Sequence, residues 1–341
     1  MNFVQIADVH FDIPFTTISD RADLGKERRL EQRKAFNDVI NYIKENNVEN
    51  LFICGDLYEQ EYIRESTINY INNLFKEIPK TKVYIVPGNH DPYIKNSYYE
   101  KYNWADNVYI FKETVEIIEN NEFDIYGFGF NNFEMNLNQI NNISIKNKNK
   151  INILISHGDI YSESKYNYMN LKYLNSIGFD YIALGHIHKR DDYYSGSLIS
   201  LGFDEPGEHG FIYGEIINNK INKKFIKIDE REFKEIDLDI SNINSEEELI
   251  EKINSINDDF NLIKINLIGE KNFYLNIDLK IINKNIIKIK DKTKIKKILL
   301  ENNNNLSGIF INKLNNKLNN KEITENEYEK IIELATKIME K

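Results

Sequence analysis

The chain has 341 residues, room for one large domain and a smaller appendage. Hydrophobic residues make up 41% and charged residues 29%, the balance of an ordinary globular protein, and no run approaches the roughly 18 apolar residues of a membrane span. A net charge of −10 excludes the sequence-wide basic footprint usual in DNA binders, and a single cysteine excludes an internal disulfide or a multi-cysteine zinc or iron–sulfur site.

Residues 3–7 read as a buried strand with no basic, apolar leader before it, so a cytoplasmic location is expected. Phe36, Val39, Ile40 and Ile43 follow at i, i+3, i+4 and i+7, the stripe of a core-facing helix. Residues 50–54 are the next strand, and Cys54 at its end reads as a small core residue. Helices are expected over 63–78 and 167–177, and further strands at 82–86, 124–128, 151–156, 180–184 and 211–216. Strands alternating with helices predict a layered α/β domain over 1–231, with loops at the carboxyl ends of strands open for a site.

The pattern changes beyond residue 231. A strand at 233–240 precedes the capping box Ser245-Glu246-Glu247-Glu248, which opens a helix to about Ile256. Strands near 262–267 and 273–282 complete a small α+β domain over 232–300. A polar break at 302–305 leads into a helical segment, 301–341. There Thr324-Glu325-Asn326-Glu327 is a second capping box, and Tyr328, Ile331, Ile332 and Ala335 form an apolar stripe that docks on its own domain or on a partner. Charge is uneven: residues 1–230 hold 25 Lys and Arg against 34 Asp and Glu, whereas the rest is nearly balanced. Within that rest, Lys280, Lys284, Lys288, Lys290, Lys292, Lys294, Lys296 and Lys297 crowd together, opposed by Asp291 alone. The run is either a solvated face or a phosphate-contacting surface.

Histidine placement carries the most information. Of six histidines, five lie just after predicted buried strands, in Asp8-Val9-His10, Gly88-Asn89-His90-Asp91, Ser156-His157-Gly158-Asp159 and Gly185-His186-Ile187-His188; Gly55-Asp56 occupies the same kind of position. The sixth, His209, reads as a loop residue, with a ligand or DNA contact as the alternative. Each motif alone is weak, and the ordered set is strong. Imidazoles, two carboxylates and an amide oxygen make a mixed nitrogen and oxygen set suited to manganese, iron or zinc. A carboxylate can bridge two ions, and two ions about 4 Å apart can clamp the attacking and leaving oxygens of an in-line displacement.

These motifs resemble those of the calcineurin-like metallophosphoesterase superfamily, over roughly residues 1–230. The resemblance implies a layered β-sandwich flanked by helices, and two divalent metal ions, manganese by preference. One ion would be held by Asp8, His10, Asp56 and His188, the other by Asp56, Asn89, His157 and His186, with Asp56 shared. His90 would be the catalytic histidine that does not bind metal, and Asp91 a support or a plain loop carboxylate. Within the superfamily the chain looks most like SbcD-type and YhaO-like DNA repair exonucleases, relatives of the nuclease subunit of the double-strand-break repair complex. Ile6-Ala7-Asp8-Val9-His10, Ser195-Gly196-Ser197 with the segment Gly202 to Gly210, and the appended domain carry that likeness. It implies a metal-activated hydroxide attacking the phosphodiester, exonuclease and endonuclease activity on DNA, a capping domain at 232–300, and C-terminal helices for an SbcC-like coiled-coil ATPase. DNA contacts would fall to Lys288, Lys290, Lys292 and Lys294, and a homodimer is a further partner. Relatives often carry a histidine three residues after the bridging aspartate, where this chain has Glu59; that acid either orients His90 or is a solvated loop residue. The competing function is a phosphodiesterase or phosphatase on small nucleotides or phosphoproteins, and a third is a scaffold with a structural metal.

Overall fold

The computed structural model describes the chain except residues 20, 137–138, 219, 230, 257, 272, 274, 296–305 and 340–341. Lys296, Lys297 and the polar break at 302–305 therefore lie outside the described residues. Two units are distinguished, Met1–Glu232 and Phe233–Lys341.

The first unit runs β1 (Asn2–Ile6), α1 (Ala22–Glu45), β2 (Asn50–Cys54), α2 (Glu65–Lys76), β3 (Lys82–Val86), α3 (Tyr98–Lys101), β4 (Val108–Ile110), β5 (Glu116–Glu119), β6 (Phe123–Gly127), β7 (Ile151–His157), α4 (Leu171–Ile177), β8 (Tyr181–Gly185), β9 (Gly210–Ile217) and β10 (Lys220–Lys227). Its strands make two sheets, ordered β10-β9-β1-β2-β3-β4 and β5-β6-β7-β8. β1 to β4 are parallel, as are β6, β7 and β8, and the antiparallel partners sit towards the edges. Every residue of β2, β7 and β8 is buried. That two-sided burial is why these strands read as unbroken apolar runs rather than alternating ones.

The sheets face one another across a shared core in which Phe3, Phe52 and Tyr84 meet Ile125, Ile153 and Tyr181. The Phe3 and Tyr181 rings, one from each sheet, lie 4.8 Å apart. Phe3 and Phe52, fully buried, each contribute about 1.5–3 kcal/mol through area removed from water. Outside the first sheet, Phe36, Val39, Ile40 and Ile43 of α1 are buried as their spacing implies. A second core built on Tyr126, Leu154, Leu174 and Leu184 covers the other sheet. The alternation of elements implies a layered α/β domain, and the two sheets form a mixed α/β sandwich flanked by helices.

In the second unit, β11 (Phe233–Asp239), α5 (Glu246–Asn254), β12 (Leu262–Ile268), β13 (Glu270–Lys271), β14 (Ile286–Asp291), β15 (Lys294–Ile295), α6 (Leu306–Asn319) and α7 (Glu325–Met339) follow in order. β11, β12 and β14 form a parallel sheet. Leu249 and Ile253 of α5 pack with Ile263, Ile265 and Leu267. Both N-caps form, with Glu248 N donating to Ser245 Oγ at 3.2 Å and Glu327 N to Thr324 Oγ1 at 3.3 Å. At Thr324 the box closes, Glu327 Oε2 accepting the Thr324 N–H at 2.8 Å, whereas Glu248 Oε2 accepts from Asn244 N.

One sequence expectation is corrected. The strand expected at 273–282 does not pair among its described residues; Leu279–Ile281 is a 3-10 turn capped by Asp278. Phe273, Leu275, Ile277 and Leu279 rest on the core from one side. One-sided burial gives the period of a strand without its ladder. The third strand is instead β14, inside the lysine run. Tyr328 and Ile332 of α7 bury against Ile311 and Leu314 of α6, so the stripe docks within its own unit. Among the described residues, no helix is long and apolar enough to cross a membrane.

Candidate metal centre

All seven proposed donors sit at the carboxyl ends of parallel strands: Asp8 and His10 after β1, Asp56 after β2, Asn89 after β3, His157 at the end of β7, and His186 and His188 after β8. Both sheets contribute, in the crevice where open α/β sheets place their sites. The backbone there is unusual. Asp8, His10 and Asp56 all have φ of 52°, and His186 has φ of 106°. Side-chain-bearing residues adopt such angles at a cost of order 1–3 kcal/mol, and such strain gathers at functional sites. Crowding is equally local: a Cβ on Gly55 would lie 2.2 Å from His157 Nδ1, and one on Gly185 would lie 1.9 Å from the Cys54 carbonyl oxygen.

The donors converge. Asp8, His10 and His188 form one cluster, and Asp8, Asp56 and His157 another, with donor atoms within 4.8 Å of one another. Asp56 Oδ2 faces both sides, 3.7 Å from His10 Nε2 and 3.3 Å from His157 Nε2. Asn89 Oδ1 lies 3.0 Å from His157 Nε2 and 3.1 Å from His186 Nδ1. Asp8 Oδ1 accepts the His186 N–H at 2.9 Å.

Each of three rings is anchored from behind. Nδ1 of His10 donates to Glu59 Oε1 at 2.7 Å, Nδ1 of His188 to Glu205 Oε1 at 2.6 Å, and Nδ1 of His157 to the Cys54 carbonyl at 2.9 Å. Those anchors fix the tautomers and turn three Nε2 lone pairs inward, the arrangement that orients metal-binding imidazoles. His10 Nε2 and His188 Nε2 then stand 3.2 Å apart. Two acceptors at that distance repel unless positive charge lies between them. Around His157 Nε2, the oxygens of Asn89 and Asp56 make a second convergence of lone pairs. The residues thus fit two hard or borderline cations, with no thiolate among the donors.

Protons take up that charge when no ion does. Burial works against the charged imidazole of His157, yet Asp56 beside it outweighs burial and lifts it to about 9. For His188, burial is overcome by its bond to Glu205 and by Asp8, again reaching about 9. His186 goes the other way, held at about 4 by burial and the charge of His157. Burial lifts Asp8, whereas the charges of His157 and His10 overcome burial to hold Asp56 well below the usual carboxylate range.

His90 stands apart. Its Nδ1 donates to Glu59 Oε2 at 2.9 Å, and its side chain is 45% exposed at the mouth, against 2% for His10. Burial opposes its charge, but the bond to Glu59 and the nearby Asp56 raise it to about 9. It also lies near His10 and Asp56, which would make a third donor group. Glu59 is the junction, one oxygen on His10 and the other on His90, and is no solvated loop acid. Burial pushes Glu59 up, and those two bonds more than reverse it, to about 2.

Asp91 is fully buried behind the loops. It accepts from the backbone N–H of Leu57 at 2.7 Å and Gly88 at 2.7 Å and from the Tyr99 hydroxyl at 2.6 Å, and so binds the Asp56 loop to the Asn89 loop. Burial and the charge of Asp56 raise it to about 7. His209 is a buried loop histidine, with Nδ1 3.0 Å from Ser197 Oγ and Nε2 3.0 Å from the Glu205 carbonyl. Glu205 was not singled out from sequence. Its signal is only its place in Asp204-Glu205-Pro206-Gly207-Glu208, where nothing separates it from the other two acids. Lys288, Lys290, Lys292 and Lys294 are exposed on β14, its end and β15, in the second unit.

A chain from Bacillus subtilis (strain 168), described as an uncharacterized metallophosphoesterase YhaO, is 26% identical over 247 residues, which are 66% of this chain and 60% of that relative. A crystal structure of a dimetal phosphatase from Danio rerio overlaps 66% of this chain and 95% of its own, with a TM-score of 0.41 and 13% identity. The family model for calcineurin-like phosphoesterases matches residues 1–190, more than half the chain, a span that holds the seven proposed donors, Glu59 and His90 but stops short of Glu205. This chain therefore belongs to the calcineurin-like phosphoesterases, a family of metal-dependent hydrolases of phosphoesters.

Proposed function

We propose that the chain is a metal-dependent DNA nuclease of the SbcD type, an exonuclease with endonuclease activity acting in double-strand-break repair. The observation that carries the catalytic part is Glu59 holding His90 at the mouth of the centre, beside inward-facing Nε2 lone pairs. Asp8, His10, Asp56 and His188 would hold one ion, and Asp56, Asn89, His157 and His186 the other, manganese by preference. Bound divalent cations supply Lewis-acid charge to a phosphoryl group. With Nδ1 committed to Glu59, His90 presents Nε2 to the opening, where it delivers a proton to the leaving oxygen. A scaffold with structural metal has no use for such a half-exposed, oriented histidine.

The DNA assignment rests on the motif likeness and on the exposed Lys288, Lys290, Lys292 and Lys294 as phosphate contacts. An SbcC-like ATPase, a second copy of the chain and a cytoplasmic location belong to the same proposal. The acidic balance of residues 1–230 favours one other reading, a phosphodiesterase or phosphatase on small phosphoesters. Labelled single- and double-stranded DNA incubated with protein and manganese tests the choice. Metal-dependent shortening is expected; intact DNA alongside turnover of a cyclic nucleotide or phosphopeptide would replace the nuclease with the smaller-substrate enzyme.

A further inference from the structure

Next to the centre, the first unit gathers cations that the centre does not use. The chain leaving His10 passes through Asp12 to Pro14, and the chain leaving Glu59 passes through Tyr62 to Thr67. Between these segments and α1 lies a pocket of about 560 Å³, within the size range of small-ligand sites. Lys26, Arg29, Arg33 and Arg64 line it, with Asp12 the one carboxylate among the described lining residues. Asp12 is already engaged: Oδ2 accepts the Arg64 backbone N–H at 3.0 Å, and Oδ1 lies 3.8 Å from Arg33 Nη2. Arg33 is also tied to Thr67 Oγ1 at 2.9 Å. Among the described residues, neither the Arg29 nor the Arg64 guanidinium has an ion-pair partner. In a segment with 34 acids to 25 bases, four cations around one spent carboxylate run against the local composition.

Guanidinium forks match the paired oxygens of a phosphate. At the same pocket stands Tyr62, 52% exposed, with an aromatic ring open to solvent. Cationic walls beside an exposed ring are the elements with which proteins hold a nucleic acid strand, the charges on the backbone and the ring under a base. We propose that this pocket is a subsite for the nucleotide flanking the scissile phosphodiester, with Arg29 and Arg64 on its phosphate and Tyr62 stacked on its base. The proposal rests on the nuclease reading and adds the surface by which the first unit grips its substrate despite its acidity. A phosphopeptide would use the arginines and leave the ring idle, so the strand is the better occupant.

The test compares two substrates in manganese: bis(p-nitrophenyl) phosphate, which has one phosphate and no neighbour, and a short fluorescent oligothymidylate. In the R29E/R64E double variant, KM for the oligonucleotide is expected to rise about tenfold or more, with its salt dependence flattened by roughly one to two phosphate contacts. Its kcat, and turnover of bis(p-nitrophenyl) phosphate, stay near wild type, which also shows that the fold is intact. Tyr62→Ala is expected to raise the oligonucleotide KM about fivefold or more, the loss of one base stacked on an aromatic ring. Equal losses on both substrates, or a phosphopeptide KM that tracks the variants while the oligonucleotide KM does not, would overturn the proposal. Wild-type protein that cuts DNA, with variants that match it, sinks the subsite alone. Wild-type protein that hydrolyses the small ester and leaves DNA intact sinks the nuclease reading and the subsite with it.

Discussion

His90 and Asp56 offer donor atoms within 4.8 Å of each other and of His10, yet their removal should have opposite signatures. His90 is half-exposed and its ring Nδ1 is held by Glu59, so His90→Ala is expected to keep both metals and lose hydrolysis by roughly 10²-fold or more, the range for a missing acid–base group. Asp56 Oδ2 faces His10 and His157 together, so Asp56→Ala should empty both positions. Metal content by elemental analysis beside steady-state rates separates the two. Two ions retained in Asp56→Ala would disprove the shared ligand, and ions lost from His90→Ala would make that histidine a ligand. At this scale the sequence was legible wherever a histidine ended a buried strand. Glu205 was not, because its role depends on the chain returning to His188 from 17 positions further on, and no local pattern encodes that return.

Among the elements, strands buried on both faces were readable because burial forces an unbroken apolar run, as in Leu51-Phe52-Ile53-Cys54. β10 was not foreseen. It is an edge strand whose Lys220, Lys223, Lys224 and Lys227 face water or a neighbouring surface, and edges replace apolar residues with lysine to discourage further pairing. The alternation at 273–282 misled for the reason given above: it reports which side is buried, not whether a ladder forms. The close approach of the two sheets yields a sharper test. Gly185 passes so near the Cys54 carbonyl that Gly185→Ala must push β8 away from β2. Overpacking of this kind costs about 1–3 kcal/mol. The variant is expected to melt lower and to bind metal more weakly, because His186 follows directly. Calorimetry with a metal titration would show it, and unchanged melting and affinity would mean that the sheets meet more loosely than described.

For the whole molecule, pH and metal act on the same groups. In chelated protein, His157 and His188 titrate near 9 in the folded state against 6.5 for an ordinary histidine. The folded state then binds more protons, so this contribution to stability is complete below about pH 6.5 and is lost as pH rises through about 9. His186, held at about 4, acts only below that window. Cations displace those protons, and their binding strengthens as pH rises. The gap in Tm between manganese-loaded and chelated protein should therefore widen from pH 6.5 to 9; a gap that stays constant would mean that the histidines are not where the ions bind.

Strand ends drawn from both sheets have one further effect. A chain with a single thiol has no covalent cross-link to offer its folded state. His10 and His188, 178 residues apart, meet at one point. Ions gripped there would close loops as long as any disulfide could, withdrawing from the unfolded chain much of the freedom that makes unfolding favourable. Catalytic cations would then double as the knot that the sequence never tied with sulfur.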